Sequence, residues 1–167
     1  MKIGGLHKLT LLDYPNKISC IVFVLGCNMR CPFCHNFGLV NHTLPEVPQE
    51  EVFAYLKQRK NRLEGVVISG GEPLLSDGLE SFIKKVKELG YCVKLDTNGS
   101  LPQRLKQLLD KKLIDYVAMD IKNSKDKYNL AAGTNANYDN ILKSYKYILE
   151  SGIDYELRTT VVSQLHD

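Results

Sequence analysis

Residues 18–24 form a continuous apolar run rich in β-branched side chains, the pattern of a strand buried on both faces of a parallel sheet. Similar runs recur at residues 66–68, 92–95, 116–119 and 157–162, and segments with helical period lie between them. Leu79, Phe82, Ile83, Val86 and Leu89 follow i, i+3, i+4, i+7 spacing, with Ser76 as the expected N-cap and Gly90 as the stop. Leu105, Leu108 and Leu109 mark a shorter helix opened by Pro102. Ile141, Tyr145, Ile148 and Leu149 mark one ending at Gly152, and Val52, Tyr55 and Leu56 mark the first. Five strands alternating with helices predict an α/β fold of parallel strands with right-handed crossovers, either an open doubly wound sheet or a full or partial barrel.

At 167 residues the chain suits a single domain, residues 1–167, with a real core. Its 22 basic and 19 acidic residues are scattered without a basic block, so nothing points to nucleic acid. No apolar run reaches the roughly 18 residues that a membrane span needs, and the N-terminus lacks the apolar core of a secretory signal. We expect a cytoplasmic protein. Three of the five cysteines fall within eight residues, a spacing better suited to a metal or cluster than to disulfides.

Those three follow the first strand directly, in Gly26-Cys27-Asn28-Met29-Arg30-Cys31-Pro32-Phe33-Cys34-His35-Asn36. Iron–sulfur clusters are held by cysteine thiolates, and three ligands leave one iron of a [4Fe-4S] cluster open to substrate. A zinc site would want a fourth ligand; His35 is too near Cys34 to complete a regular tetrahedron, though His42 could serve. Cys20 and Cys92 lie inside apolar strands, where a free thiol acts as a small hydrophobe. The second strand ends in Ser69-Gly70-Gly71-Glu72-Pro73, either a tight turn or a place where backbone approaches a ligand closely. The third ends in Asp96-Thr97-Asn98-Gly99 and the fourth in Asp120-Ile121-Lys122, so carboxylates stand at successive strand ends. Asp96 and Asp120 could instead cap the following helices, with Lys122 pairing one of them. Arg158, inside the last apolar run, needs a partner if buried.

Three cysteines at this spacing, with an aromatic residue, Phe33, before the last, closely resemble the signature of the radical S-adenosylmethionine (SAM) family. The resemblance implies a radical SAM type of partial (βα) barrel, apparently lacking its last βα unit because the chain stops directly after a strand. It implies a [4Fe-4S] cluster on Cys27, Cys31 and Cys34 and reductive cleavage of SAM to methionine and a 5′-deoxyadenosyl radical. Gly70, Gly71 and Glu72 match the motif that meets the methionine amino group. The strand-end segments look most like those of glycyl-radical activating enzymes. By that likeness Lys122 meets the methionine carboxylate, Phe33, Asn98 and Arg158 also contact the cofactor, and Asp96, Thr97, Ala118 and Asp120 match a monovalent cation site.

The opening from Leu6 to Ile18 is similar to anaerobic ribonucleoside-triphosphate reductase activating proteins. That implies a protein substrate, a glycyl-radical enzyme, and an electron donor such as flavodoxin or ferredoxin. A pyruvate formate-lyase-type activating enzyme, a radical SAM enzyme acting on a small molecule, and a non-catalytic zinc or electron-transfer module are the alternatives.

Overall fold

The computed structural model describes residues 1–166. β1 (Ile3–Thr10) leads into β2 (Ser19–Val24), followed by the short α1 (Phe37–Val40) and α2 (Gln49–Gln58). Next come β3 (Gly65–Gly70), a 3-10 turn at Pro73–Leu75, α3 (Leu79–Glu88), β4 (Cys92–Thr97) and α4 (Pro102–Asp110). β5 (Tyr116–Asp120), α5 (Tyr128–Ala132), α6 (Tyr138–Ser151) and β6 (Asp154–Arg158) complete the order. One sheet holds all six strands in sequence order, β2 to β6 parallel and β1 antiparallel to β2. The result is an α/β partial barrel, one of the architectures that the alternation left open and the one that the family resemblance implies.

The period of two along each strand divides the side chains between two faces. Cys20, Val22, Val24, Val66, Ile68, Val93, Leu95, Val117 and Met119 point to the helices and join Phe82, Ile83, Leu105 and Ile148 in the main core. On the other face Tyr14, Ile21 and Val67 form a smaller cluster, backed by Phe23, Cys92 and Tyr116. Further along that inner face, toward the C-terminal strand ends, stand Lys94, Asp96, Asp120, Glu156 and Arg158. One face therefore carries packing, and the other carries charge.

Two expectations change, and three elements appear that the sequence pattern does not predict. β1 was not anticipated: its pairing with β2 is interrupted between Ile3 and Gly5 and between His7 and Thr10, which erases the alternation a strand would print in sequence. The last strand is Asp154–Arg158 rather than 157–162, because its partner β5 ends at Asp120, opposite Arg158. Beyond that point Val161 is 77% exposed. Ser76 does not cap α3; it closes the 3-10 turn through its N–H to the Pro73 carbonyl at 3.0 Å, and Gly78 stands at the N-cap. α1 and α5 are too short for their periodicity to register. Among the described residues no helix is long and apolar enough to cross a membrane.

Candidate functional site

All five parallel strands deliver their C-terminal ends to one side, and an open cavity of about 220 Å³ lies there. Cys27, Cys31, Cys34 and Phe33 line it from the loop after β2, and Gly70 and Gly71 from the end of β3. Asp96, Thr97 and Asn98 reach it from β4, Asp120 and Lys122 from β5, and Arg158 from β6. His35, Asn36 and Thr160, which the sequence reading did not assign to this cavity, also line it.

The cysteine loop is tied down by backbone bonds to three neighbours. Gly26 N–H donates to the Leu39 carbonyl at 2.9 Å, Glu72 N–H donates to the Gly26 carbonyl at 2.8 Å, and Arg30 N–H donates to Ala132 at 2.8 Å. Arg30 turns its guanidinium back onto the Cys27 and Met29 carbonyls, at 2.6 and 2.8 Å. The paired glycines have a reason that needs no ligand. A Cβ on Gly71 would stand 1.9 Å from the Gly26 carbonyl oxygen, and Gly70, at φ +118°, would place one 2.4 Å from Val24 N. Only residues without a side chain let β3 pass this close to the start of the cysteine loop.

The donor set fits a four-iron cluster. Three thiols share one short loop and face one cavity, while Cys20 is buried behind the sheet and Cys92 sits in the inner-face cluster with Tyr14. Burial pushes the Cys27 and Cys31 thiols up; Lys122 pulls Cys31 the other way.

Glu72 behaves differently from its expected place beside the methionine amino group. Its carboxylate is fully buried and does not line the cavity. One oxygen accepts from Leu74 N–H at 3.0 Å and Thr97 Oγ1–H at 2.8 Å, the other from Asn98 N–H at 2.7 Å. Burial dominates those three bonds and pushes Glu72 up to about 7. The side chain knots the end of β3 to the end of β4.

Arg158 bridges the two aspartates, Nε at 3.0 Å from Asp120 and Nη1 at 3.4 Å from Asp96. Lys122 Nζ meets the other Asp120 oxygen at 3.0 Å. Neither aspartate caps a helix; the N-cap positions of α4 and α5 belong to Leu101 and Lys127. Burial raises Asp96, against the pull of Arg158 and Lys94. The four residues expected around a cation are thus already engaged in part: a guanidinium stands between the carboxylates, and Thr97 turns its hydroxyl hydrogen inward to Glu72. Ala118 is wholly buried between Asp96 and Glu156 in the strand register.

The sequence reading missed Lys94 and Glu156. Lys94 is 2% exposed, and its Nζ lies 2.7 Å from Glu156 Oε1 and 3.9 Å from Asp96 Oδ1. Their signal was present, since Lys94 lies two residues before Asp96 and Glu156 two before Arg158, which puts each pair on one strand face. The methyl of Ala118 leaves room for the lysine to span β5. Asn28 and Ser100 were missed as well, because polar loop residues carry no periodicity.

Residues 21–165 match the family model of the radical SAM superfamily. A Methanocaldococcus jannaschii protein provisionally assigned as a glycyl-radical enzyme activating enzyme is 36% identical over 170 residues, covering 99% of this chain and 70% of that protein. The pyruvate formate-lyase-activating enzyme of Clostridium pasteurianum is 32% identical over 174 residues, covering 99% of this chain and 71% of that enzyme. The solved structure of native anSMEcpe with bound AdoMet shares the fold at a TM-score of 0.60 and 23% identity, covering 80% of this chain and 41% of that one. The chain thus spans about seven tenths of those two relatives and about two fifths of that solved chain. With a family match running over nearly all of the sequence, and two relatives aligned along it from end to end, this chain belongs to the radical SAM superfamily.

Proposed function

We propose that this radical SAM protein is an activating enzyme that generates a glycyl radical on a partner enzyme, with anaerobic ribonucleoside-triphosphate reductase as the partner. Superfamily membership implies a [4Fe-4S] cluster and SAM. The observation that carries the reading is convergence: three loop thiols, a glycine-lined strand end, Lys122 and Arg158 border one cavity. When bound, the cluster supplies the electron that cleaves SAM to methionine and a 5′-deoxyadenosyl radical.

In this reading Cys27, Cys31 and Cys34 hold three irons, and Phe33 packs beside them. Gly70 and Gly71 offer backbone to the methionine amino group, while Lys122 and Arg158 attract its carboxylate. Asn98, which lines the same cavity, also contacts the cofactor. Glu72 acts from beneath, fixing the ends of β3 and β4 rather than touching the cofactor. A monovalent cation at Asp96, Thr97, Ala118 and Asp120 would have to draw Arg158 away from the two carboxylates, and a bound methionine carboxylate supplies the counter-charge for that. An acidic or low-potential carrier such as flavodoxin or ferredoxin would deliver the electron.

The glycyl-radical partner is supported by the two relatives, whose names describe activation of a glycyl-radical enzyme and of pyruvate formate-lyase. The choice of ribonucleotide reductase is supported by the opening segment, Leu6 to Ile18. Anaerobic reconstitution is expected to give about four irons per chain and, on reduction with SAM, release of 5′-deoxyadenosine. Mixing with the reductase is then expected to give a doublet electron-spin signal. A doublet with pyruvate formate-lyase alone would move the assignment to that partner, and zinc in place of iron would end the radical reading.

A further inference from the structure

Asn98, Asn28 and Ser100 close a ring of side-chain hydrogen bonds beside the cysteine loop. Asn98 Nδ2 donates to Asn28 Oδ1 at 3.0 Å, Asn28 Nδ2 donates to Ser100 Oγ at 2.8 Å, and Ser100 Oγ donates to Asn98 Oδ1 at 2.6 Å. Every member donates to the next in the same sense, an arrangement in which each bond polarises its neighbour. The orientation of the Asn98 amide is not free. Ser100 N–H, which can only donate, lies 3.0 Å from Asn98 Oδ1, so the oxygen must face Ser100 and the NH₂ must face the cysteine loop.

That NH₂ lies 3.9 Å from Cys27 Sγ, a long N–H···S contact, and Met29 N–H approaches the same sulfur at 3.4 Å. The loop bearing Asn98 is itself anchored, through Asn98 N–H to Glu72 Oε2 at 2.7 Å and Ser144 Oγ–H to the Gly99 carbonyl at 2.6 Å. The amide is therefore held from behind by two other elements.

We infer that Asn28 and Ser100 are positioning residues that hold the Asn98 amide N–H on Cys27 Sγ, and that this contact raises the reduction potential of the cluster. The inference rests on the cluster reading above and deepens it. Reduction adds negative charge that spreads onto the ligand sulfurs, and a hydrogen-bond donor on a sulfur stabilises the reduced form more than the oxidised one. Asn98→Ala removes the donor. Ser100→Ala removes the hydroxyl that closes the ring but keeps the backbone N–H on Asn98 Oδ1, so the donor is loosened without being freed to turn.

The test is a potentiometric titration of the reconstituted full chain without SAM, followed by electron-spin resonance, alongside iron and sulfide counts and thermal melting of the apo protein. At fixed applied potential Asn98→Ala is expected to lower the ratio of reduced to oxidised cluster about threefold, the worth of one weak hydrogen bond. Ser100→Ala is expected to shift it the same way by less, and Ser100→Thr to restore it. The double variant should match Asn98→Ala alone, since Ser100 acts through that amide. Variants that bind full iron and melt lower, with an unchanged potential, would reduce the ring to a structural brace and overturn the inference. If Asn98→Ala takes up no cluster, the Ser100 pair decides. An unaltered chain that takes up no cluster would instead remove the reading beneath it.

Discussion

Cys27, Cys31 and Cys34 are told apart from Cys20 and Cys92 by surroundings rather than by residue type. The first three border the cavity, whereas Cys20 has no exposed surface and Cys92 packs among Tyr14, Ile21 and Val67. Replacing any of the three by Ala is expected to abolish iron uptake and SAM cleavage. Cys20→Ala should keep both, at about 1 kcal/mol of stability for the lost sulfur contacts. Iron content and the cleavage assay check each variant. Glu72 makes the opposite point, because its place beside a glycine pair suggested ligand contact and its burial assigns it to the frame. Glu72→Ala would orphan the Leu74 and Asn98 N–H groups and the Thr97 hydroxyl, and is expected to cost about 3 kcal/mol or more in urea unfolding of the apo protein. At this scale the sequence shows which residues can do chemistry. It does not show which way a carboxylate turns, since that depends on donors 25 and 26 residues away.

α5 spans only Tyr128–Ala132 and buries Tyr128, Ala131 and Ala132, yet it steadies the cysteine loop. Its Ala132 carbonyl accepts from Arg30 N–H, and a Cβ on Gly133, at φ +64°, would lie 2.0 Å from the Arg30 carbonyl oxygen. Gly133→Ala is expected to cost about 2 kcal/mol or more and to impair iron uptake by displacing Arg30 next to Cys31, as melting and iron counts would show. Across the sheet, Lys94 joins β4 to β6 over Ala118. Glu156 remains about one third exposed, so a double-mutant cycle of Lys94→Met and Glu156→Gln should give a coupling of only about 1 kcal/mol. Losing the lysine alone should cost more, because it leaves Asp96 buried with less counter-charge. Long elements such as α3 and α6 were legible, since one apolar stripe fixes a helix whatever it packs on. β1 and α5 were not, because a broken register and a five-residue helix leave no period to read.

For the whole molecule, stability should grade from the centre of the sheet outward. Val22, Val66, Ile68, Val93, Leu95, Val117 and Met119 have no exposed surface, while the turn after β1 exposes Leu12 by 91% and, among the described residues, β6 pairs only with β5. Amide exchange followed by mass spectrometry is expected to be slowest in β2 to β5 and faster by at least about a hundredfold in residues 11–17 and 154–158. Equal rates throughout would contradict this. The sequence by itself determined the alternation of strands and helices, the sulfur trio and the polar residues at strand ends, because local periodicity and spacing are written along the chain. Tertiary structure alone decided that Arg158 stands between Asp96 and Asp120, that Glu72 faces inward, and that Gly71 must admit the Gly26 carbonyl. Those outcomes depend on distances between segments far apart in sequence, and only the folded sheet sets them.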